Sequence, residues 1–121
     1  MRRIPTISIV DDDDAVLGSV VSFLRSAGFG AQGFRTAEAF LASPSLTRTD
    51  CLVTDLHMPG MNGVALQRHL RSIGFTAPII VMTAYPTPAA RQSSADLGAA
   101  ALLPKPVDPD RLLDQIELVL S

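Results

Sequence analysis

Two short runs of the sequence are apolar throughout, where a strand with one exposed face would alternate apolar and polar residues. They are CLVT, which begins at Cys51, and PIIVM, which begins at Pro78. Uninterrupted apolar runs of this length are typical of strands that are buried on both faces of a parallel sheet. Parallel strands need crossover connections, which are usually helices. Because both faces of these strands are buried, helices are expected on both faces of the sheet.

The rest of the chain repeats the alternation of strand and helix. Apolar runs and amphipathic stretches alternate five times, from IPTISIV near the start to RLLDQIELVL near the end. Gly28, Gly74 and Gly98 follow three of the amphipathic stretches, where helices commonly end in a left-handed residue. The pattern predicts a doubly wound α/β fold, with a five-stranded parallel sheet flanked by five helices.

Composition narrows the class of protein. With 121 residues and 47% hydrophobic content, residues 1–121 are expected to form one domain. The net charge of −2 and the scattered basic residues argue against direct binding of nucleic acid. Cys51 is the only cysteine, which excludes disulfides and cysteine metal sites within the chain. No signal segment or membrane span is evident, so we expect a cytoplasmic protein with no membrane partner.

Polar residues stand where four of the predicted strands end. Asp11 and Asp12 follow the first strand, Asp55 the third, Thr83 the fourth and Lys105 the fifth. In a doubly wound fold, ligands bind beyond the carboxyl ends of the strands, so these side chains are expected at one site. Three carboxylates around one point suit a hard divalent cation, and Mg²⁺ is commonly held by one or two of them.

The same residue types suit phosphoryl chemistry. An aspartate beside a divalent cation can act as a nucleophile toward a phosphoryl group, and Asp55 is the natural candidate. Thr83 offers a hydroxyl donor, and Lys105, the only lysine of the chain, offers a compact positive charge. Both groups can stabilise the negative charge of a transferring phosphoryl group. The neighbouring Asp13 and Asp14 are better placed to cap the first helix.

Four motifs together resemble the receiver domain of two-component response regulators, the CheY-like domain. They are IVDDDDAV, VTDLHMPGMNG, VMTAY and LLPKP, which stand in the family's order and spacing over essentially the whole chain. The resemblance implies a sheet of strand order 2-1-3-4-5. The N-terminal half, with the stretch DDDDAVLGSVVSFLRSAGFGAQGFRTAEAFL, is also similar to receivers of the nitrogen-fixation and quorum-type transcription regulators.

The resemblance implies a phosphoacceptor and a metal site. By resemblance, Asp55 is the phosphoacceptor, and Asp12 and Asp55 bind Mg²⁺ directly, with Mn²⁺ as an alternative metal. Asp11 then acts through water, and the backbone carbonyl of His57 supplies another metal ligand.

The resemblance also implies roles around the phosphoryl group. Thr83 and Lys105 hold the phosphoryl oxygens, and the Lys105–Pro106 peptide bond is expected to be cis. Four further positions belong to the family's switch and tuning set: His57, Ala84, Tyr85 and Leu102. Leu102 is a departure, because the family usually carries an aromatic residue three positions before the lysine.

The implied function is a phosphorylation switch rather than an enzyme. A histidine kinase or phosphotransfer protein supplies the phosphoryl group, and the face of the fourth helix, fifth strand and fifth helix changes its binding to an output domain, another protein or a second copy of the chain.

Two alternatives remain open. The motif IVDDDDAV fits the strand and Asp-x-Asp pattern of haloacid-dehalogenase phosphatases, with Asp11 as nucleophile, although Ala15 stands where threonine or valine is wanted and Asp55 would have no role. A pseudo-receiver, which signals without phosphate, is the other alternative.

Overall fold

A parallel five-stranded sheet forms the middle layer of the fold in the computed structural model, which describes residues 3–121. The strands are β1 (Thr6–Val10), β2 (Gly30–Phe34), β3 (Cys51–Asp55), β4 (Ile79–Thr83) and β5 (Ala101–Pro104). Their order in the sheet is β2-β1-β3-β4-β5, and every neighbouring pair is parallel. The predicted fold class and strand order are confirmed.

Each strand is followed by an α-helix, as the alternation predicts. They are α1 (Asp14–Ser26), α2 (Ala37–Leu41), α3 (Gly63–Ser72), α4 (Pro88–Asp96) and α5 (Pro109–Leu120). A 3₁₀ helix, Pro44–Thr47, follows the short α2. Among residues 3–121, no helix is both long and apolar enough to span a membrane.

Each face of the sheet carries its own apolar core. Ile7, Ile9 and Val53 point to the α1 and α5 side, while Val10 and Leu52 point to the α2 and α3 side. All residues of β3 and β4 are buried, which is the reason that CLVT and PIIVM do not alternate between apolar and polar positions. The edge strand β2 is only partly buried, and its sequence GAQGF is correspondingly poor in large apolar residues.

Local signals fix where the helices begin and end. The side chain of Asp13 accepts hydrogen bonds from the backbone N–H groups of Ala15 and Val16, so it caps α1. Pro88 occupies the first turn of α4, where its missing N–H has no intrahelical partner to lose. The glycines predicted to follow α1, α3 and α4 all have positive φ, at 99°, 83° and 82°.

The strand register brings the polar residues to one edge. Asp55 at the end of β3 pairs with Met82, and Thr83 at the end of β4 pairs with Pro104. Because the strands are parallel, the residues that follow β1 and β5 reach the same edge. This edge therefore collects the chemistry-bearing residues from four strands.

Candidate functional site

Three carboxylates meet at the carboxyl edge of the sheet. Asp11, Asp12 and Asp55 each offer an oxygen, and these oxygens lie within 4.8 Å of one another. Asp11 is fully buried and Asp55 is 5% exposed, whereas Asp12 is exposed. Two carboxylates of the cluster are therefore buried, and the third is exposed to solvent. This arrangement offers the oxygen ligands and the access to water that Mg²⁺ needs.

Lys105 links two of the three carboxylates. Its Nζ lies 2.8 Å from Asp11 Oδ2 and 3.2 Å from Asp55 Oδ2. Burial lowers the pKa of Lys105, but the hydrogen bond to Asp11 and the charges of Asp55 and Asp11 outweigh it, so the net pKa is raised. Lys105 is therefore a fixed positive charge at neutral pH. The following Lys105–Pro106 peptide bond is cis.

Asp55 lies in an electrostatically unfavourable position. Burial and the nearby charge of Asp11 raise its pKa, and the charge and hydrogen bond of Lys105 only partly oppose this. The backbone N–H of His57 also donates to Asp55 Oδ1, at 3.3 Å. One ammonium thus faces a cluster of carboxylates, and the excess negative charge is what a divalent cation would offset. The donor set fits the metal that the sequence predicts.

Asp11 is fixed through both of its oxygens. Its Oδ1 accepts from the backbone N–H of Asp13 at 2.9 Å, and its Oδ2 contacts Lys105. The acidic run after β1 thus has two structural roles. Asp11 and Asp12 belong to the carboxylate cluster, and Asp13 caps α1. Asp14, in the first turn of α1, pairs instead with exposed Arg35 at 2.9 Å.

Thr83 is a fully buried hydroxyl at the end of β4. Its Oγ1 accepts the backbone N–H of Tyr85 at 3.0 Å. Because a hydroxyl can accept and donate at once, this contact leaves the Thr83 O–H group available as a donor. The backbone N–H of Leu56, directly after Asp55, donates to the carbonyl of Met82, directly before Thr83, so the two strand ends lie side by side.

Two of the predicted tuning residues contact each other. The rings of His57 and Tyr85 pack edge to face, with centroids 5.6 Å apart and an interplanar angle of 77°. Tyr85 is 68% exposed, so the pair lies on the surface beside the acidic cluster. Ala84 is also exposed, while Leu102 is half-buried against the core on the α3 side. The sequence singles out both rings but gives no sign of their contact.

Gly63, the last residue of the motif VTDLHMPGMNG, packs closely on the site. A Cβ atom there would lie 2.6 Å from the carbonyl oxygen of Asp55 and 2.8 Å from Leu56 Cα. The first residue of α3 therefore packs directly on the backbone that carries Asp55. The signal in the sequence is its place at the end of this motif, beside the capping residue Asn62, whose side chain accepts the N–H of Ala65.

The fold and its acidic edge define a doubly wound α/β domain with an acidic site at the carboxyl ends of its strands. Residues 7–117 match the family model described as "Response regulator receiver domain". The chain belongs to the response regulator receiver family. Domains of this family signal rather than act as classical enzymes, and they generally use Mg²⁺ at an acidic pocket such as the Asp11, Asp12 and Asp55 cluster.

Curated relatives are transcriptional and response regulators. The chain is 38% identical over 112 residues to the transcriptional regulatory protein FixJ of Bradyrhizobium diazoefficiens, covering 92% of this chain and 54% of FixJ. It is 33% identical over 119 residues to the response regulator protein TodT of Pseudomonas putida, covering 98% and 52%. The chain thus spans about half the length of the curated relatives it matches.

Solved receiver structures share the fold. The chemotaxis protein CheY4 of Vibrio cholerae has a TM-score of 0.90 at 27% identity, with 98% of this chain and 100% of that chain covered. The crystal structure of FixJ-N has a TM-score of 0.87 at 32% identity, covering 98% and 95%. The response regulator StyR has a TM-score of 0.88 at 39% identity, covering 98% and 60%.

Proposed function

We propose that residues 1–121 act as one receiver domain in the cytoplasm, in which Asp55 accepts a phosphoryl group from a histidine kinase or phosphotransfer protein. The observation that carries this proposal is the contact of Lys105 Nζ with both Asp55 and buried Asp11, beside exposed Asp12. This geometry gives a nucleophile, a fixed positive charge and a set of metal ligands at one edge.

Asp55 is a better nucleophile than Asp11. Both residues have contacts at both carboxylate oxygens. Asp11, however, is fully buried. Asp55 retains some exposure at the end of β3. The contrast favours the receiver function over a haloacid-dehalogenase-like phosphatase, in which Asp11 would be the attacking group.

In the proposed transfer, an oxygen of Asp55 attacks the phosphorus of a donor phosphohistidine. The new P–O bond forms as the P–N bond breaks, and the electron pair of that bond stays with the donor imidazole. Lys105 loses part of its contact with Asp55 and pairs with a phosphoryl oxygen, while the free O–H of Thr83 donates to another.

Mg²⁺, or Mn²⁺ in its place, supplies charge neutralisation for the phosphoryl oxygens when bound. Its proposed ligands are Asp12, Asp55 and the backbone carbonyl of His57, with Asp11 acting through water. The excess of carboxylate charge over the single ammonium of Lys105 supports this assignment.

The proposed output is a change in partner binding at the face formed by α4, β5 and α5. Because the relative FixJ is named as a transcriptional regulatory protein, we propose that this face controls a transcriptional output, with pairing of two copies as one way of doing so. We propose that this chain itself does not contact nucleic acid. In this switch, Leu102 stands at the position of the family's usual aromatic residue, and Ala84 directly follows Thr83.

The decisive experiment follows intact mass in the presence of Mg²⁺ and acetyl phosphate. We expect one phosphoryl adduct on the wild-type chain and on Asp14→Asn, and none on Asp55→Asn. Asp14 is the matched control because it belongs to the same acidic run but lies outside the cluster. An adduct that survives Asp55→Asn but disappears in Asp11→Asn would favour the phosphatase, and no adduct on wild type would favour the pseudo-receiver.

We also propose that the His57–Tyr85 ring pair sets how long the phosphoryl group survives. The pair lies at the surface beside the acidic cluster, so its removal changes the access of water to Asp55. The lifetimes of phosphorylated His57→Ala and Tyr85→Ala are measured against wild type. Lifetimes equal to wild type in both variants would rule out this role.

A further inference from the structure

Strand β2 lies at the outer edge of the sheet. Within residues 3–121 its only neighbouring strand is β1. The N–H of Gly30 and the carbonyl of Phe34 both bond to residues that flank β1. Because backbone groups alternate in direction along a strand, Ala31 and Gly33 turn their N–H and C=O groups to the opposite side, where no further strand follows. Strand β2 therefore has one free edge.

The free edge of β2 has few features of its own that would keep another strand away. Its sequence GAQGF contains no charge and no proline, and Gln32 and Gly33 are exposed. Soluble proteins usually protect such an edge with lysine, proline or a bulge, or cover it with another segment, because its unpaired groups can bind a strand of another chain. Protection of this edge must therefore come from outside β2.

Arg25, in the last turn of α1, covers part of this edge. The Ala31 carbonyl accepts hydrogen bonds from Arg25 Nε at 3.0 Å and from Arg25 Nη2 at 2.8 Å. Ala31 is only 3% exposed, although it belongs to the outer strand. Helix α1 lies close to β2 at Gly33, where an added Cβ would be 2.9 Å from the Leu17 side chain. In the part of the chain that the structure describes, no other side chain bonds to the outward groups of Ala31 and Gly33.

The outward groups of β2 match those of a second copy of the chain. If two copies lie antiparallel about Gln32, Ala31 of each copy faces Gly33 of the other. Each facing pair exchanges two N–H···O=C bonds, so the two strands would share four. The Ala31 carbonyls accept half of these bonds, and they are the carbonyls that Arg25 occupies.

We propose that Arg25 blocks an interface through which two copies of the chain would otherwise join their β2 strands. The guanidinium occupies the acceptor that the Gly33 N–H of the second copy needs, so a paired edge loses half of its hydrogen bonds. The remaining bonds do not offset the entropy cost of association. The block belongs to the chain without a phosphoryl group, so this inference goes beyond the proposed function and stands independently of it.

Sedimentation velocity over a range of protein concentrations, without Mg²⁺ or phosphoryl donor, tests the block. Arg25 is exposed, so Arg25→Met leaves the apolar core unchanged. We expect this variant to dimerise about thirtyfold more tightly than wild type, the factor expected for two additional hydrogen bonds. Arg35→Met is the matched control, because it removes an exposed arginine directly after β2 that pairs with Asp14 instead. Arg25→Met that sediments like wild type would overturn the proposal.

A second substitution shows whether the dimer of Arg25→Met forms at β2. In the antiparallel arrangement, residue 32 of one copy lies directly opposite residue 32 of the other, so Gln32→Glu brings two like charges together. The Ser45 hydroxyl, which donates to Gln32 Oε1 at 2.7 Å, can donate to a carboxylate equally well. The double variant Arg25→Met/Gln32→Glu should therefore return to the weak association of wild type. A double variant that dimerises as tightly as Arg25→Met would overturn the proposal, because the contact would lie elsewhere.

Hydrogen exchange of single amides reports on the same edge. In Arg25→Met, at concentrations where the dimer prevails, the exposed Gly33 amide should exchange more slowly than in wild type. The amides of Gln32 and Phe34 point to β1, so they should keep their wild-type protection and show that the sheet is intact. Loss of protection at Gln32 and Phe34 would also overturn the proposal, because Arg25 would then hold β2 in the sheet rather than block its free edge.

Discussion

At the scale of single residues, Asp55 carries a charge that the folded chain destabilises. Burial and the Asp11 charge raise its pKa, so the folded state holds the proton more tightly than the unfolded state does. The ionised form therefore costs stability, and this cost grows as the pH rises through the raised pKa. We predict that Asp55→Asn increases the free energy of unfolding at pH 7 without Mg²⁺, as measured in urea.

The stability difference between Asp55→Asn and wild type should depend on pH, which gives a second test of the prediction. Below the ordinary pKa of an aspartate, Asp55 is protonated in both states, so the advantage of asparagine should disappear near pH 3. Asp114→Asn, at an exposed position on α5, should change stability little at either pH. A variant less stable than wild type at pH 7 would show that the Lys105 contact outweighs burial and repulsion.

Gly63 illustrates how close packing beside a site can depend on a missing atom. Its Cβ would collide with the backbone of Asp55 and Leu56, which cannot move without displacing the end of β3. We predict that Gly63→Ala lowers the free energy of unfolding by about 1–3 kcal/mol, the usual range for overpacking. It should also reduce phosphorylation of Asp55.

The matched control is Gly18→Ala in the middle of α1. Nothing lies within 4 Å of a Cβ at that exposed position. Since alanine favours a helix interior over glycine by about 0.5–1 kcal/mol, this variant should be more stable than wild type. Urea unfolding measures the free energy of unfolding of both variants. Equal changes in the two variants would mean that the close approach at Gly63 does not affect stability.

At the scale of elements, α1 depends on its capping residue. The Asp13 side chain satisfies two of the backbone N–H groups at the start of α1. We predict that Asp13→Ala lowers the free energy of unfolding by about 1 kcal/mol. Asp14→Ala, which removes only an exposed ion pair with Arg35, should cost clearly less. Thermal unfolding of the two variants measures the difference.

The elements themselves were largely predictable, for identifiable reasons. Runs such as PIIVM have no polar position because β4 is buried on both faces, and Pro88 marks the start of α4 because proline fits only the first turn. The limits of α2 were harder, since only five residues are helical before the chain turns into the 3₁₀ helix at Pro44–Thr47. Short elements carry too few periods for a pattern to define them.

At the scale of the whole molecule, Cys51 reports on global unfolding. It is completely buried, and burial raises the pKa of its thiol to about 12. Because thiolates react and thiols do not, we predict no labelling by a thiol reagent at pH 8 in native buffer, and one label per chain in urea. Rapid labelling of the native chain would show that β3 opens locally without unfolding of the domain.

The site was predictable to the extent that the sheet brings it together. Asp11, Asp12, Asp55 and Lys105 each stand at a strand end, so the topology alone predicts that they meet. The His57–Tyr85 contact and the bonds of Gln67 and Arg71 to α4 were not predictable, because they depend on how loops and helices pack. No local pattern encodes such contacts between distant segments.

The charge balance of the whole site leads to a last prediction, on stability in the presence of Mg²⁺. A cation that binds the folded chain and not the unfolded one adds stability, about 2.7 kcal/mol at one hundred times its dissociation constant. We predict that Mg²⁺ raises the melting temperature of wild type and of Asp14→Asn, but not of Asp12→Asn. Asp12 is exposed, so its replacement should leave the metal-free fold intact while removing a ligand. A general effect of salt would act on both variants alike, so a rise lost only in Asp12→Asn identifies Asp12 as a ligand. A rise in melting temperature that persists in Asp12→Asn would show that Asp12 does not bind the stabilising cation.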